Sequence, residues 1–243
     1  MINGRHVFFV TFGDTSLHKT LTRIYNEAIA MNLFDGIFVY DETKLDPQYF
    51  ARHKEWFQHF KRGYGLWIWK PQVILQTMKQ VPENSIILYT DTGCTLNAKA
   101  HGRLVEYINS VISHPTQRLI FQSRFYTEEQ YTTQYVLERM QFTAPEQRHS
   151  KMCYAGVTMF AKTRQNIELL QRWDNIMHIT DMLQGGRRLK PCSPRFVDHR
   201  QDQSILSILM KHNDALILED EIEITDRPEL ADTFPIQATR LKY

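Results

Sequence analysis

ILYTDTGC, residues 87–94, is the stretch whose reading decides the fold. An apolar run ends abruptly in Asp91, Thr92 and Gly93. A short apolar run bounded by turn residues reads as a buried strand, and strands covered on both faces lose the apolar–polar alternation in just this way. Such a strand delivers a lone carboxylate, Asp91, to its C-terminal end.

Working outward, strands and helices alternate. Strands are expected over residues 6–12, 35–41, 85–91, 118–123, 155–163 and 215–220. Between them lie helical patterns. Residues 16–32 carry Leu17, Leu21, Ile24, Ala28 and Met31 on one face, with Ser16 as the expected N-cap. Residues 46–61 open with Asp46 as cap and Pro47 in the first turn. Residues 70–81 form another helix with a proline at its start, and residues 102–113, the EEQYTTQYVLERMQF stretch, the QNIELLQRWDNIMH stretch and residues 202–212 complete the set. This alternation predicts an α/β domain with a mostly parallel central sheet and helices on both faces. Residues 1–220 are expected to form that domain and residues 221–243, weakly patterned, a C-terminal tail or closing segment. Ligands of such folds gather beyond the C-terminal strand ends.

Composition narrows the function. The 243 residues carry 29 Lys and Arg against 27 Asp and Glu, a net charge of +2, too near neutral to argue for nucleic acid as partner. Cys94, Cys153 and Cys192 are widely spaced and show no zinc-ligand spacing. A reducing, cytoplasmic compartment is the simplest expectation. The apolar run in MINGRHVFFVTFG is too short for a signal peptide or a membrane span, which leaves only peripheral contact with a membrane open.

Three constellations carry chemistry. Asp91, at a strand end facing a crevice, can bind a hard cation such as Mg²⁺ or Mn²⁺; the alternative is a turn or helix cap, for which Asp-Thr-Gly is also suited. In WIWKPQ, residues 67–72, Pro71 at a helix start leaves Lys70 beside free backbone N–H groups, which together favour phosphate. Trp67 and Trp69 suit either a sugar face or the core. RGYG, residues 62–65, reads as a flexible approach to this helix, with Arg62 as a second phosphate contact. FVDHRQDQS gathers Asp198, His199, Arg200 and Asp202 within a few positions. Asp202 can cap the following helix, or it and Gln203 can face a substrate, with Asp198 or His199 as general base or metal ligand.

ILYTDTGC also resembles the strand ending in Asp-x-Asp of GT-A-type nucleotide-sugar glycosyltransferases. The block over residues 62–96 and the segment FVDHRQDQSILSIL, residues 196–209, resemble those of small transferases of polysaccharide synthesis. The resemblance implies a GT-A fold and a metal at Asp91 that binds the donor's diphosphate, with Thr92 and Gly93 beside it. It implies Thr11, Phe12 and Gly13 around the base, Tyr40 and Asp41 at base and ribose, and Arg62, Trp69 and Lys70 on the donor. Asp202 and Gln203 would reach the sugar, and Tyr154, Ala155, Gly156, His199 and Arg200 the acceptor side. The sequence departs from the family where Gly93 replaces the second Asp. A missing ligand could come from Asp198, His199 or His212, or Lys and Arg could act as counter-charges without Mn²⁺ or Mg²⁺.

The expected function is sugar transfer from a nucleotide-diphosphate sugar to the hydroxyl of a glycan, lipid-linked or protein-linked acceptor. Inversion would use Asp198 as base; the Asp202-Gln203 pair leans toward retention. The alternatives are a catalytically silent sugar-nucleotide-binding module and another nucleotide-handling α/β enzyme such as a nucleotidyltransferase. The latter lacks support from any G-x-x-x-x-G-K or G-x-G-x-x-G loop.

Overall fold

The computed structural model describes residues 1–241. Its first half is a run of strand–helix units: β1 (Val7–Phe12), α1 (His18–Ala30), β2 (Gly36–Tyr40), α2 (Pro47–His59), the left-handed turn α3 (Gly63–Leu66), α4 (Trp69–Met78) and β3 (Ile86–Thr90). A two-residue strand, β4 (Thr95–Leu96), leads to α5 (His101–Ser113) and β5 (Arg118–Thr127). Three short helices follow, α6 (Glu128–Tyr131), α7 (Gln134–Arg139) and α8 (Pro145–His149). Then come β6 (Lys151–Ala161), α9 (Arg164–Met177), α10 (Thr180–Gln184), α11 (Asp202–His212), β7 (Leu216–Leu218) and β8 (Ile236–Gln237).

Six strands form the central sheet in the order β2-β1-β3-β6-β5-β7, and β4 pairs with β8 in a small second sheet. β6 runs antiparallel to both of its neighbours, while the β1–β2, β1–β3 and β5–β7 pairs are parallel. The sheet is thus mostly parallel, as the alternation of elements predicts. The ends of β1, β2, β3 and β5 consequently point to one edge.

Side-chain parity divides the core. Val7 and Phe9 of β1 and Ile86 and Leu88 of β3 pack with Ile24, Ala28, Leu104 and Ile108 of α1 and α5. Val10 and Phe12 of β1 and Ile87 and Tyr89 of β3 turn to the opposite face and pack with α2, α4, α9 and α11. Successive strand residues point to opposite faces, so an unbroken apolar run fills both layers at once.

Local chemistry explains most element ends, with some departures from expectation. Asp46 caps α2 by accepting from the Gln48 and Tyr49 amides, with Pro47 in the first turn. Ser16 is not the cap of α1: Asp14 accepts from the Ser16 amide and caps a short 3₁₀ turn over Thr15–Leu17 that leads into the helix. EEQYTTQYVLERMQF is not one helix, because it breaks at Thr132 and Thr133, and Thr133 caps the second piece. β-Branched residues with a hydroxyl favour caps over helix interiors. RGYG is not a loose approach to α4. The Trp56 and Trp69 indoles donate to the Gly65 and Gly63 carbonyls at 2.8 and 3.0 Å and pin the turn.

Of the tail expected over 221–243, residues 242 and 243 lie outside the described residues. The remainder crosses the C-terminal edge of the sheet. Leu96 pairs with Ile236, and the Leu241 amide donates to the Gly93 carbonyl at 3.0 Å.

Candidate active site

The parity of β3 builds the site. Ile87 and Tyr89 face the layer of α4 and α11, and Asp91, just past the strand, continues the same phase. The Tyr89 hydroxyl accordingly donates to Asp91 Oδ1 at 2.7 Å. α4 and α11 begin at the same edge. α4 supplies Lys70 from its first turn and α11 supplies Asp202 as its first residue. The Lys70 ammonium lies 2.6 Å from Asp202 Oδ2, 3.1 Å from Asp91 Oδ1 and 3.4 Å from the Ala155 carbonyl. Three side chains separated by up to 132 positions thus form one charge cluster.

Exposure distinguishes its members. The side chain of Lys70 is 2% exposed and that of Asp202 7%, whereas that of Asp91 is 40% exposed and opens into a cleft. Lys70 is therefore not a free point charge at a helix start but one already paired with two carboxylates. Burial alone would lower its pKa, but Asp202 and Asp91 more than offset this and raise it. Burial raises the pKa of Asp202, Lys70 opposes the rise and the neighbouring Asp91 adds to it. Asp202 also sits in the first turn of α11, where the helix dipole favours an anion. Burial, reinforced by Asp91, holds the Tyr89 phenol protonated well above its ordinary range.

Two backbone features hold the cluster in place. The Asp91 amide donates to the Gly156 carbonyl at 2.8 Å. A Cβ at Gly156 would stand 2.9 Å from Asp91 Oδ2, so only glycine lets β6 pass this close to the carboxylate. Gln201, immediately before α11, has φ 45° and ψ −113°. A non-glycine residue there stores strain at the point where the chain turns to aim Asp202.

The cleft over this cluster has a volume of about 1200 Å³. One wall carries Phe12, Gly13, Arg62, Trp67 and Trp69, and the floor is Lys70, Asp91 and Asp202. Thr92, Gly93, Tyr154, Gly156, Arg200 and Gln203 line it too. Phe12 stacks on Trp69 with ring centroids 4.0 Å apart, so Trp69 is as much a core residue as a wall. The Arg62 guanidinium lies over the Trp67 ring.

Other expected site residues lie elsewhere. Asp198 is tied to Arg187 in an ion pair outside the cleft, which removes it as a base for a substrate there. His199 is fully buried, with Nε2 against the Met182 carbonyl at 3.1 Å, and burial pushes its pKa down to about 4. It cannot serve the acceptor side or ligate a metal at Asp91. Thr11 is buried within β1, away from the cleft, whereas Gly13 stays on the cleft wall with its amide donating to the Tyr40 carbonyl at 3.1 Å. Tyr40 is buried, its hydroxyl 3.1 Å from both Thr77 Oγ1 and Gln80 Nε2, so it offers no face to a base. Asp41 accepts from the Thr43 amide and caps a 3₁₀ turn. Ala155 contributes its carbonyl to Lys70 rather than a face to an acceptor.

Conversely, sequence reasoning passed over Tyr89, Phe125, Tyr126, Glu223 and Arg240, of which the last four line the cleft. Tyr89 was legible, being two residues before Asp91 on a strand and hence on the same side.

The donor set at Asp91 does not suit a divalent cation. Oδ1 is engaged by Lys70 and Tyr89, and position 93 offers no side chain. His212 stands at the opposite end of α11 from Asp202 and contacts the Met140 carbonyl. Among the described residues no three His, Cys, Asp or Glu side chains come together as they would around a metal ion.

No protein-family model and no curated protein sequence matches this chain. Solved structures do. The chain superposes on a glycosyltransferase involved in the glycosylation of the major capsid of PBCV-1, with a TM-score of 0.52 at 11% identity, over 96% of this chain and 91% of that one. The fold is GT-A-like. Mouse xyloside xylosyltransferase 1 also superposes, at a TM-score of 0.47 and 11% identity over 96% of this chain and 97% of the other. The galactosyltransferase LgtC does so at 0.45 and 13%, over 95% and 86%. At these identities the likeness concerns the fold. In GT-A terms, the cleft lies beyond the C-terminal ends of β1 and β3. No helix among the described residues is long and apolar enough to cross a membrane.

Proposed function

We propose that this protein transfers a sugar from a nucleoside-diphosphate sugar to a hydroxyl acceptor. One observation carries the reading: Lys70 fixes two carboxylates, Asp91 and Asp202, on the floor of a large cleft in a GT-A-like fold. Carboxylates accept hydrogen bonds from sugar hydroxyls, and a buried ammonium between them holds both oxygens in one orientation. In this reading the nucleotide lies along the wall of Phe12, Tyr64 and Trp67 and the acceptor near Phe125, Tyr126 and Tyr154, all of which line the cleft of about 1200 Å³. Phe125, exposed, and Tyr126, half-buried, supply aromatic surface of the kind that packs on a sugar's apolar face.

Transfer breaks the bond between the anomeric carbon and the diphosphate oxygen and forms a bond from that carbon to the acceptor oxygen. The transition state has oxocarbenium character, and charge develops on the leaving diphosphate. With Asp198 turned away, a retaining course is favoured. On that course the acceptor's proton passes to the departing phosphate oxygen, and Asp202 and Gln203 stabilise the cationic sugar.

The test is incubation with a panel of nucleotide sugars, with and without acceptor sugars, followed by quantification of nucleoside diphosphate. Turnover of at least one donor, lost on Asp91→Ala while the fold is kept, is the expected result. Tight donor binding with no turnover under any acceptor identifies a silent binding module instead.

A further inference from the structure

Position 93 lies under the C-terminal segment. The Leu241 amide and the Thr239 hydroxyl both donate to the Gly93 carbonyl, at 3.0 and 3.1 Å. The Thr239 and Thr95 hydroxyls meet at 2.7 Å. A Cβ on Gly93 would rest 3.4 Å from Arg240 Cα, 3.6 Å from its carbonyl carbon and 3.8 Å from the Leu241 oxygen. A side chain at 93 would therefore start in van der Waals contact with the main chain of the C-terminal segment, with a carbonyl oxygen among its nearest neighbours.

Where a metal-binding cleft would add a second negative ligand, this one adds a guanidinium. Arg240 lines the same cleft as Asp91, with its main chain against Gly93 and its side chain 65% exposed. It is held by Glu223 and by the Ala238 carbonyl at 3.2 Å. Burial would raise the pKa of Glu223, but hydrogen bonds from Arg240 and Thr225 hold it below the usual carboxylate range. The partner that orients Arg240 thus stays ionised.

A cation is needed here. Lys70, Asp91 and Asp202 together carry one net negative charge, and the Lys70 ammonium is buried and already engaged by three oxygens. A diphosphate arriving over Asp91 would meet repulsion from this cluster, which a positive charge offsets; of Lys61, Arg62, Arg200 and Arg240 along the cleft, Arg240 is the one whose main chain adjoins Gly93. A guanidinium offers that charge with a planar fork of donors suited to phosphate oxygens.

We propose that Arg240 binds the donor's diphosphate in the place of a divalent cation, so that nucleotide binding requires no metal. The proposal rests on the sugar-transfer reading above and adds to it the means of holding the leaving group.

The test is calorimetric titration with UDP, GDP, CDP and ADP, each in EDTA and in Mn²⁺. At least one nucleotide is expected to bind in EDTA with a dissociation constant within about threefold of that in Mn²⁺. Arg240→Gln is expected to weaken it by about tenfold or more, the worth of a charge-assisted hydrogen bond, with Arg240→Lys intermediate. Loss of binding in EDTA with recovery in Mn²⁺, or an unchanged constant in Arg240→Gln, overturns this proposal and leaves sugar transfer standing. Absence of binding for every nucleotide in both conditions overturns both.

Discussion

Replacing Lys70 by methionine isolates the electrostatics of the site. The substitution keeps an unbranched chain in the same space and deletes the ammonium that lies 2.6 Å from Asp202 and 3.1 Å from Asp91. Attraction between unit charges about 3.5 Å apart, at an effective dielectric of about 20, is roughly 5 kcal/mol for the Asp202 pair. The Asp91 pair counts for much less, about 1 kcal/mol, because water screens a carboxylate this exposed. Part of this attraction offsets the cost of burying Lys70, and breaking a buried pair from one side costs about 3–5 kcal/mol. Proton uptake limits the loss. Asp202 in the variant escapes its buried charge by protonation, which at pH 7 costs about 1.36 kcal/mol for each of the roughly three pH units above a model aspartate. The ceiling is therefore about 4 kcal/mol at pH 7, and it falls to about 1.5 kcal/mol at pH 5. Urea denaturation followed by tryptophan fluorescence at pH 5, 6 and 7 measures this, since Trp69 lies beside the substituted residue and Trp173 is fully buried. The stability deficit of Lys70→Met should shrink by about 1.4 kcal/mol per pH unit on acidification. Adding Asp202→Asn should restore most of the loss at pH 7 and remove the slope. A deficit below about 1 kcal/mol at pH 7, or one independent of pH, would refute the reasoning.

Two other substitutions probe the frame of the site. Gly156→Ala places a methyl 2.9 Å from Asp91 Oδ2 and should push that carboxylate off Lys70 and Tyr89; nucleotide-sugar affinity should fall by about tenfold, the worth of a charge-assisted contact, while the urea midpoint moves little, and an unchanged affinity would contradict the packing argument. His199 is buried neutral with its pKa pushed down to about 4; a depressed folded-state pKa means that its stability is present above about pH 6.5 and is lost as pH falls toward 4, by roughly 3 kcal/mol in total. His199→Gln should remove that share of the acid slope, and parallel stability–pH curves for the two proteins would show that His199 does not titrate as described.

The sequence by itself determined the sheet and the phase of its central strand. Continuous apolar runs alternating with amphipathic helices are enough to require a covered, mostly parallel sheet, because only such a sheet buries both sides of a strand. Asp91, Lys70 and Asp202 were each legible as unusual, being one carboxylate at a strand end and two charged residues at helix starts. Their union was not. Lys70 reads as a phosphate contact at a helix start, and what makes it the centre of a carboxylate cluster is that α4 and α11 pack on the same sheet face and begin at the same edge, a property of tertiary topology with no local signature. The same limit accounts for Asp198 and His199, whose neighbours in sequence suggested chemistry while a half-turn of chain before α11 carried them into an ion pair and a buried hydrogen bond. Arg240 is the extreme case. It follows a weakly patterned stretch, and only the pairing of β8 with β4 brings it over Gly93, because side-chain charge gains meaning from long-range geometry whereas hydrophobic periodicity is written residue by residue.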